Sequence, residues 1–329
     1  MLLDRYNYSL PDELIAQRPA SPRDSSRILV VTKKDGNIDI LSFSKIKKYF
    51  TQHDLAVFNN TKVDPFLIRG YDKRNTLREF LLIENIESLK WRVMTKNPKN
   101  SDIIFGTNLN AKLLKDKNSW LLIFDKDPNE FLKSNGLMPI PPYLKRESDF
   151  KDSTDYQTVY AKVEGSIAAP TAGLHFTDEL LNNFIITKDF VTLHVGMGTF
   201  LPVKTKNISE HKMHEELFFI NAKTFKNIET IKSKGGKILS IGTTTLRALE
   251  SAAIDISLIN KWSSTTLFIK ENFEFKIADC LLTNFHLPKS TLLILVSAFL
   301  GYELTMKCYE IAIKEKMRFY SYGDAMLIL

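Results

Sequence analysis

Apolar positions change their spacing twice along the chain, and the change predicts more than one structural unit. Residues 27–32 (RILVVT) and 54–58 (DLAVF) are short apolar runs that predict buried strands. Residues 10–17 and 43–50 predict short helices. Between residues 65 and 120, runs such as FLIRG, LKWRVMT and SWLLIF are separated by turn residues. Short strands at this spacing predict a small barrel or sandwich.

The pattern returns to alternating strands and helices after residue 155. Strands are predicted at 191–195 and 237–241, and helices at 246–253, at 291–300 with Ser290 as N-cap, and at 303–316. We also expect a hairpin over 265–275 and a pair of strands in RFYSYGDAMLIL at the end. Such alternation is typical of an α/β fold with parallel pairing.

Composition narrows the class of protein. The 329 residues suffice for two domains, and 44% apolar with 25% charged residues is ordinary for a globular protein. The longest apolar run, around 292–296, is too short to span a bilayer, and the N-terminus lacks a signal-peptide core, so we expect a cytoplasmic protein without a membrane partner. Cys280 and Cys308 are expected to be structural thiols. The net charge of +7 is compatible with a polyanion such as RNA but does not identify one.

Small residues surround Pro170 in GSIAAPTAGLHFT, where backbone can approach a ligand closely. We take Thr171 and Gly173 as substrate-binding candidates. His175 comes two residues before Thr177, which suits the N-cap of the next helix. The alternative for His175 is a hydrogen-bonded residue in a tight turn.

His194 lies on the polar face of its strand, opposite Val191, Leu193 and Val195. It is placed to act as a general base or a ligand donor. The turn that follows offers backbone N–H groups to an anion, so Gly196, Gly198 and Thr199 are substrate-binding candidates. A buried polar histidine before a β-turn is the competing interpretation.

Two further segments place polar groups at turns. Thr243, Thr244 and Arg247 lie at a strand–turn–helix junction, which favours an anion such as a carboxylate or phosphate over simple capping. Asn284 and His286 can read an adenine edge, although an Asx turn before Pro288 explains them nearly as well.

Tyr322 and Asp324 lie in a predicted tight turn near the end of the chain. Asp324 can accept a proton or face a sulfonium, and Tyr322 can pack against that cation. A common turn without function is the alternative.

His211 and His214 precede two glutamates and suggest a metal site. The order His-x-x-His-Glu matches neither common zinc pattern, and no third ligand set accompanies it. We therefore expect substrate contacts here and no metal.

Six of these segments together resemble one family. GSIAAPTAGLHFT, TLHVGMGTF, HKMHEE, GTTTLRALES, TNFHLPKSTLL and SYGDAML are similar, in this order, to motifs of the S-adenosylmethionine:tRNA ribosyltransferase-isomerases of queuosine biosynthesis. The resemblance implies a discontinuous α/β catalytic domain of residues 1–62 and 145–329 with a small β-barrel domain, 63–144, inserted into it.

The resemblance also implies the reaction. S-adenosylmethionine would donate its ribosyl moiety to 7-aminomethyl-7-deazaguanine at the wobble position of tRNA, giving epoxyqueuosine with release of adenine and methionine. We expect His175 and His194 to handle protons, and Asp324 to face the sulfonium. The partners expected are tRNA and S-adenosylmethionine, and the protein is expected to be a monomer.

Two segments depart from the family pattern. Asn59-Asn60-Thr61-Lys62-Val63 stands where Asn-Asp-Thr-Arg-Val is usual, and Lys270-Glu271-Asn272 replaces a common Tyr-Pro-Gly. A role for a carboxylate or guanidinium in the first segment is thereby put in doubt.

Other classes of protein remain as alternatives. A metal-dependent hydrolase would use the histidine cluster, and metal analysis would identify it. A non-catalytic RNA-binding protein would bind tRNA without releasing adenine. An ordinary methyltransferase is disfavoured because no Gly-x-Gly-x-x-Gly opens a strand–helix unit.

Overall fold

A nine-stranded mixed sheet organises the first of two compact units in the chain. The computed structural model describes residues 2–196, 198, 203 and 205–329. The first unit contains Met1–Lys62, Pro141–Leu144 and Gln157–Leu329. The second unit contains Val63–Ile140 and Lys145–Tyr156.

Four parallel strands form the centre of the nine-stranded sheet. The spatial order is β15 (Ser263–Thr265), β13 (Glu216–Ile220), β12 (Thr187–Leu193), β3 (Leu55–Asn59), β14 (Ile238–Ile241), β16 (Cys280–Asn284), β17 (Ala325–Ile328), β1 (Arg27–Val31) and β2 (Ile38–Ser42). The run β12-β3-β14-β16 is parallel throughout. β17 pairs antiparallel with β16 and parallel with β1, whereas β2, β13 and β15 pair antiparallel. Every residue of β3, β14 and β16 is buried, as expected for parallel strands covered on both faces.

Helices cover both faces of the sheet. Ala56 and Phe58 face a core that includes α3 (Asp178–Asn183). Leu55 and Val57 face the opposite way, towards α4 (Ala222–Ser233) and α5 (Thr243–Ile254). The helices α6 (Thr291–Leu300) and α7 (Tyr302–Lys314) pack on the same side as α5, through a core that includes Leu246 and Leu281. Among the described residues no single helix has the length and apolarity to cross a membrane, and only α6 with α7, bent by 114°, meets that test as a pair.

Capping residues fix two of these helices as the sequence predicts. The Thr177 hydroxyl accepts a hydrogen bond from the Leu180 N–H at the start of α3, and Ser290 does the same for Leu293 at the start of α6. Both bonds satisfy donors that the first helical turn leaves unpaired. The two predicted caps are thus confirmed.

The second unit is built on a closed six-stranded barrel. Its order is β10 (Ser119–Phe124), β7 (Lys90–Met94), β6 (Leu77–Glu87), β5 (Leu67–Asp72), β8 (Ser101–Phe105) and β9 (Leu109–Asp116). Buried and exposed positions alternate along most of β9, so one face fills the barrel. This unit also contains α1 (Asn129–Asn135) and α2 (Asp152–Asp155). The predicted α/β fold with a small barrel is confirmed, while the boundaries at 63 and 144 stay a prediction; residues 145–156 belong to the barrel's unit.

The remaining elements are short. β4 (Thr61–Val63) pairs with β11 (Val163–Ser166) in a two-stranded sheet. In the described part of the chain, 3-10 helices form at Leu3–Tyr6, Asp12–Leu14, Arg23–Ser25, Phe43–Tyr49, Pro142–Leu144, Thr171–His175, Ile208–Glu210 and Ile256–Leu258. The helices predicted at 10–17 and 43–50 therefore form only as 3-10 turns.

Two predicted strand pairs are wrong. Of the expected hairpin over 265–275, only Thr265, the last residue of β15, is in a strand, and Asn272 adopts φ +69° in a turn. At the end of the chain only β17 is a strand. Phe319, in the segment expected to form the other strand of the pair, instead makes an isolated bridge to Ile15. β17 pairs with β16 and with β1.

Candidate active site

The carboxyl ends of the four parallel strands bring polar residues to one edge of the sheet. β3 ends at Asn59, β12 at Leu193 and β16 at Asn284, and Gly242 follows β14. The connection from β3 to β12 carries α3 on one face, whereas the connection from β14 to β16 carries α5 on the other. Ligands of open α/β sheets bind outside the carboxyl ends at such a reversal. We call this region the carboxyl edge.

Asn59 joins three elements at the carboxyl edge. Its amide nitrogen donates to the Leu193 carbonyl at 2.9 Å and to the Thr244 hydroxyl at 3.2 Å. Its amide oxygen accepts from the Leu193 N–H at 3.0 Å and from the Thr61 N–H at 3.1 Å. The side chain is completely buried, so these four bonds hold β3, β12 and the start of α5 together.

His194 follows directly after β12 and is partly buried. Its Nδ1 lies 2.8 Å from the Thr61 hydroxyl, and its ring stacks on Trp262 with centroids 5.1 Å apart. Burial lowers the pKa of His194 below its ordinary value, so the neutral imidazole prevails at pH 7. Within the described residues, Nε2 has no hydrogen-bond partner. The sequence predicted the polar face of His194 but not Thr61 or Trp262.

The first turn of α5 lacks a capping side chain. Gly242 adopts φ +90° at the N-cap position, and a Cβ there would lie 3.6 Å from the Ala172 Cβ. The N–H groups of Thr243 and Thr244 have no intrahelical acceptor at this position. Thr243 is buried, and Thr244 accepts from Asn59. This helix start can receive an anion, as the sequence analysis expects.

Arg247 lies one turn into α5 and is buried with Glu216 of β13. Its Nη1 donates to the Glu216 carboxylate, and its Nε donates to the Leu267 carbonyl at 3.1 Å. Burial lowers the pKa of Arg247 to about 10, which leaves it charged at pH 7. Its Nη2 is buried and has no partner among the described residues. The pairing of Arg247 with a buried carboxylate has no local signal in the sequence, because Glu216 lies 31 positions away.

The segments around Gly196 reach the same edge. The Gly196 N–H donates to Glu216 at 3.4 Å, and a Cβ at Gly198 would fall 2.5 Å from the His214 ring. His211 is partly buried and meets Phe268 edge-on, whereas His214 is exposed. Burial and the nearby His214 lower the pKa of His211. Thr199 lies outside the described residues.

His175 is held in the interior by Asn284. The Asn284 amide nitrogen donates to the Tyr320 carbonyl and to His175 Nε2, both at 3.2 Å, and its oxygen accepts from Thr171 at 3.0 Å. Because a carbonyl only accepts, the amide orientation is fixed and Nε2 must be an acceptor. His175 therefore carries its proton on Nδ1 and donates to the Ser26 hydroxyl at 2.8 Å.

The environment of His175 keeps it neutral. Burial, with Arg318 and Arg23 nearby, lowers the pKa of His175 to about 3, and its ring stacks on Phe43. Only 4% of the residue is exposed, and both nitrogens are bonded. His175 is thus placed to orient Asn284 and Thr171.

Gly173 lies between His175 and Thr171 in the same 3-10 turn. A Cβ there would fall 1.8 Å from the Tyr160 hydroxyl, so glycine is required by close packing. The small residues of this loop therefore allow the Tyr160 side chain to lie close to the backbone of Gly173.

Asp324 is almost fully buried, and both of its oxygens are in use. They accept from the N–H groups of Arg27 and Arg318, each at 2.8 Å, and the Arg27 guanidinium lies 3.3 Å away. Because Asp324 is 1% exposed, the predicted contact with a sulfonium would need a rearrangement that brings the ligand to the carboxylate. Tyr322 is also buried, and its carbonyl accepts from Arg318 at 2.6 Å.

His286 lies in the loop after β16. Its Nε2 pairs with the Thr283 hydroxyl at 2.7 Å, and its N–H donates to the Tyr309 hydroxyl at 2.8 Å. Burial lowers the pKa of His286 to about 3. These contacts tie the His286 ring to Thr283 and its backbone N–H to Tyr309, and the residue is partly buried.

The departures in the segment after β3 are accommodated locally. Asn60 accepts a hydrogen bond from the Thr192 hydroxyl at 2.7 Å, which a carboxylate at this position would also accept. Lys62 forms an exposed ion pair with Glu164 at 2.9 Å. In the part of the chain that the structure describes, no group of three His, Cys, Asp or Glu side chains is arranged to hold a metal.

The fold and the carboxyl edge together define an α/β enzyme with a separate β-barrel unit. The family model described as queuosine biosynthesis protein matches residues 3–328. The chain belongs to this family, whose members named below are transferase-isomerases.

Relatives extend over the whole chain. The S-adenosylmethionine:tRNA ribosyltransferase-isomerases of Halothermothrix orenii and of a Sulfurihydrogenibium species are 43% and 44% identical, each with full coverage of both chains. The crystal structure of S-adenosylmethionine tRNA ribosyltransferase from Thermotoga maritima has a TM-score of 0.57 and 32% identity, and covers 99% of this chain and 100% of that one.

Proposed function

We propose that this protein transfers and isomerises the ribosyl moiety of S-adenosylmethionine onto 7-aminomethyl-7-deazaguanine at the wobble position of tRNA. The products are epoxyqueuosine in tRNA, adenine and methionine. The names of full-length relatives support S-adenosylmethionine and tRNA as the substrates. The net charge of +7 favours association with tRNA.

The observation that carries the proposal is a continuous hydrogen-bonded chain at the carboxyl edge. His194 pairs with the Thr61 hydroxyl, the Thr61 N–H donates to Asn59, and Asn59 donates to Thr244 at the start of α5. A titratable imidazole and an uncapped helix start are thereby linked through two residues. A proton acceptor beside an anion site suits a substrate with a carboxylate and an acidified C–H bond.

We assign the amino-acid part of S-adenosylmethionine to the start of α5. The N–H groups of Thr243 and Thr244 would donate to its carboxylate, and Arg247 Nη2 offers a further buried donor. Because Glu216 neutralises most of the Arg247 charge, the helix start supplies the larger part of the attraction. The sulfonium acidifies a C–H bond on the carbon next to it, and His194 Nε2 would take that proton.

The other histidines act indirectly in this proposal. His175 orients Asn284, whose amide holds Thr171 in the loop above β16. His286 and Asp324 fix the loops after β16 and before β17. The exposed His214, Gly196 and Gly198 would bound the carboxyl edge on the β13 side.

Adenine release tests the proposal directly. The protein is incubated with S-adenosylmethionine and tRNA that carries the modified wobble base, and free adenine is measured by chromatography. We expect adenine in amounts equal to the modified tRNA formed, and none with tRNA that has guanine at that position. His194→Gln should lower the rate about a hundred- to ten-thousandfold. His53→Gln is the matched control, because His53 is exposed at the opposite end of β3.

Two results would contradict the proposal. Methylated tRNA without free adenine would indicate an ordinary methyltransferase. Salt-sensitive tRNA binding with no product of either kind would indicate a binding protein.

A further inference from the structure

Three elements hold the imidazole of His194 in one orientation. The Thr61 hydroxyl of β4 pairs with Nδ1, and the Trp262 indole, which precedes β15, lies on the ring face with an interplanar angle of 18°. Gly165 of β11 lies at the opposite edge of the ring, where a Cβ would be 2.9 Å from Nε2. These three contacts restrict the orientation of the ring, and the absence of a side chain at Gly165 keeps space beside Nε2.

The partner of Nδ1 is a hydroxyl, and this choice has a chemical consequence. A carboxylate or carbonyl only accepts, so it would lock the proton on Nδ1, as a carbonyl fixes the Asn284 amide beside His175. The Thr61 hydroxyl both donates and accepts. It is completely buried, and within the described residues Nδ1 is its one hydrogen-bond partner. Because the buried hydroxyl has no other acceptor among the described residues, it donates to Nδ1 at rest, which places the proton of the neutral ring on Nε2. Rotation of the hydroxyl lets it accept from Nδ1–H instead, so Nε2 can change from donor to acceptor.

Trp262 is unusual for a packing residue because 46% of it is exposed. One side of the indole meets His194, and Phe219 of β13 lies with its centroid 5.7 Å away. An indole face attracts an imidazolium more strongly than a neutral imidazole. Trp262 thus limits the motion of the ring and stabilises the protonated form, which opposes the effect of burial.

The charged groups on neighbouring elements are largely paired with one another. Lys62 of β4 pairs with Glu164 of β11, and Glu216 of β13 pairs with Arg247 of α5. Lys261, next to Trp262 in sequence, is exposed. Burial, the neutral hydroxyl and the aromatic ring together therefore set the protonation behaviour of His194.

We infer that Thr61 and Trp262 are positioning residues for His194, and that they hold its ring so that Nε2 accepts a proton in one step and returns one in another. This inference rests on the proposed function, in which a proton leaves the carbon next to the sulfonium and adenine leaves with a proton. The two steps need His194 first with Nε2 free to accept a proton and then with a proton on Nε2, and a hydroxyl partner at Nδ1 permits both states.

Substitutions at Thr61 separate positioning from packing. Thr61→Val removes the hydroxyl at nearly constant volume, and Thr61→Ser retains it. We expect Thr61→Val to lower kcat roughly ten- to a hundredfold with little change in KM, and Thr61→Ser to restore most of kcat. Thr305→Val is the matched control, because Thr305 is equally buried and donates to the Gly301 carbonyl in α7. It should lose stability but keep kcat.

Substitutions at Trp262 test the ring contact. Trp262→Leu keeps an apolar cover but removes the aromatic face, whereas Trp262→Phe keeps it. We expect Trp262→Leu to lower kcat and move the acidic limb of the pH–rate profile to lower pH, because the imidazolium loses its stabilisation. Trp262→Phe should remain near the wild-type profile.

A histidine-selective NMR titration supplies a readout without substrate. Thr61→Val and Trp262→Leu should each lower the pKa of His194, while Thr61→Ser and Thr305→Val leave it in place. An unchanged pKa and unchanged kcat in Thr61→Val would overturn the inference. If the wild-type protein releases no adenine but the pKa shifts appear, the proposed function fails and the positioning of His194 stands.

Discussion

Replacing Arg247 with methionine should strongly destabilise the first unit. Methionine keeps much of the volume but leaves the Glu216 carboxylate, 4% exposed, without its cationic partner. Removing one member of a buried pair costs about 3–5 kcal/mol. The lost bond to the Leu267 carbonyl adds about 1 kcal/mol, and no solvent screening reduces these values because both side chains are buried.

A double-mutant cycle isolates the contribution of the Arg247–Glu216 ion pair. Arg247→Met with Glu216→Leu removes both charges, so the unfolding free energy should recover by about 3 kcal/mol relative to Arg247→Met alone. Urea unfolding can be followed by Trp262 fluorescence in a background with Trp91→Phe and Trp120→Phe. Those two tryptophans lie in the second unit, so the remaining signal reports the first.

Two results would refute this reasoning. A cost of under about 1 kcal/mol for Arg247→Met would mean that the carboxylate is solvated after the substitution. Alternatively, the double variant would be as unstable as the single one, and packing rather than charge would then explain the loss.

Two further predictions concern pH and backbone geometry. The pKa of His175 and of His286 is about 3 in the folded protein against 6.5 for the free side chain, so the unfolded chain binds more protons below pH 6.5. Stability should therefore fall between pH 6.5 and 3, by up to about 1.4 kcal/mol per pH unit for each histidine. In urea unfolding at pH 7 and 4.5, His175→Asn should reduce this dependence of the unfolding free energy on pH. An unchanged dependence would mean that His175 protonates freely in the folded protein. Gly165→Ala should lower kcat because its Cβ meets His194, whereas Gly36→Ala, also at positive φ but with no atom closer than 3.9 Å, should lower only stability; equal kcat in both variants would contradict the contact.

Much of the fold was predictable because local patterns determine it. The apolar runs of β3 and β14 are typical of buried parallel strands, and both caps depend on residues three apart. The hairpin over 265–275 was wrong because turn residues alone do not supply a partner strand. At the end of the chain, long-range pairing with β16 and β1 decided which segment became a strand.

The site was less predictable because its contacts join distant residues. The alternation around His194 indicated its polar face, but Thr61 lies 133 positions away in sequence. Glu216 meets Arg247 only because β13 pairs beside β12 and α5 crosses that side of the sheet. Alternation marks His194 as a strand residue, but nothing local indicates that His175 is fully buried whereas His194 lies at the edge of the sheet.

The most direct test of the carboxyl-edge site is an NMR titration of the protein with S-adenosylmethionine, with labels on histidine rings and threonine amides. We predict that the His194 ring and the Thr243 and Thr244 amides shift together, with one Kd that Thr61→Val leaves nearly unchanged. Saturable shifts confined to the barrel unit or to the surroundings of His286, with His194 and the start of α5 unaffected, would contradict the account.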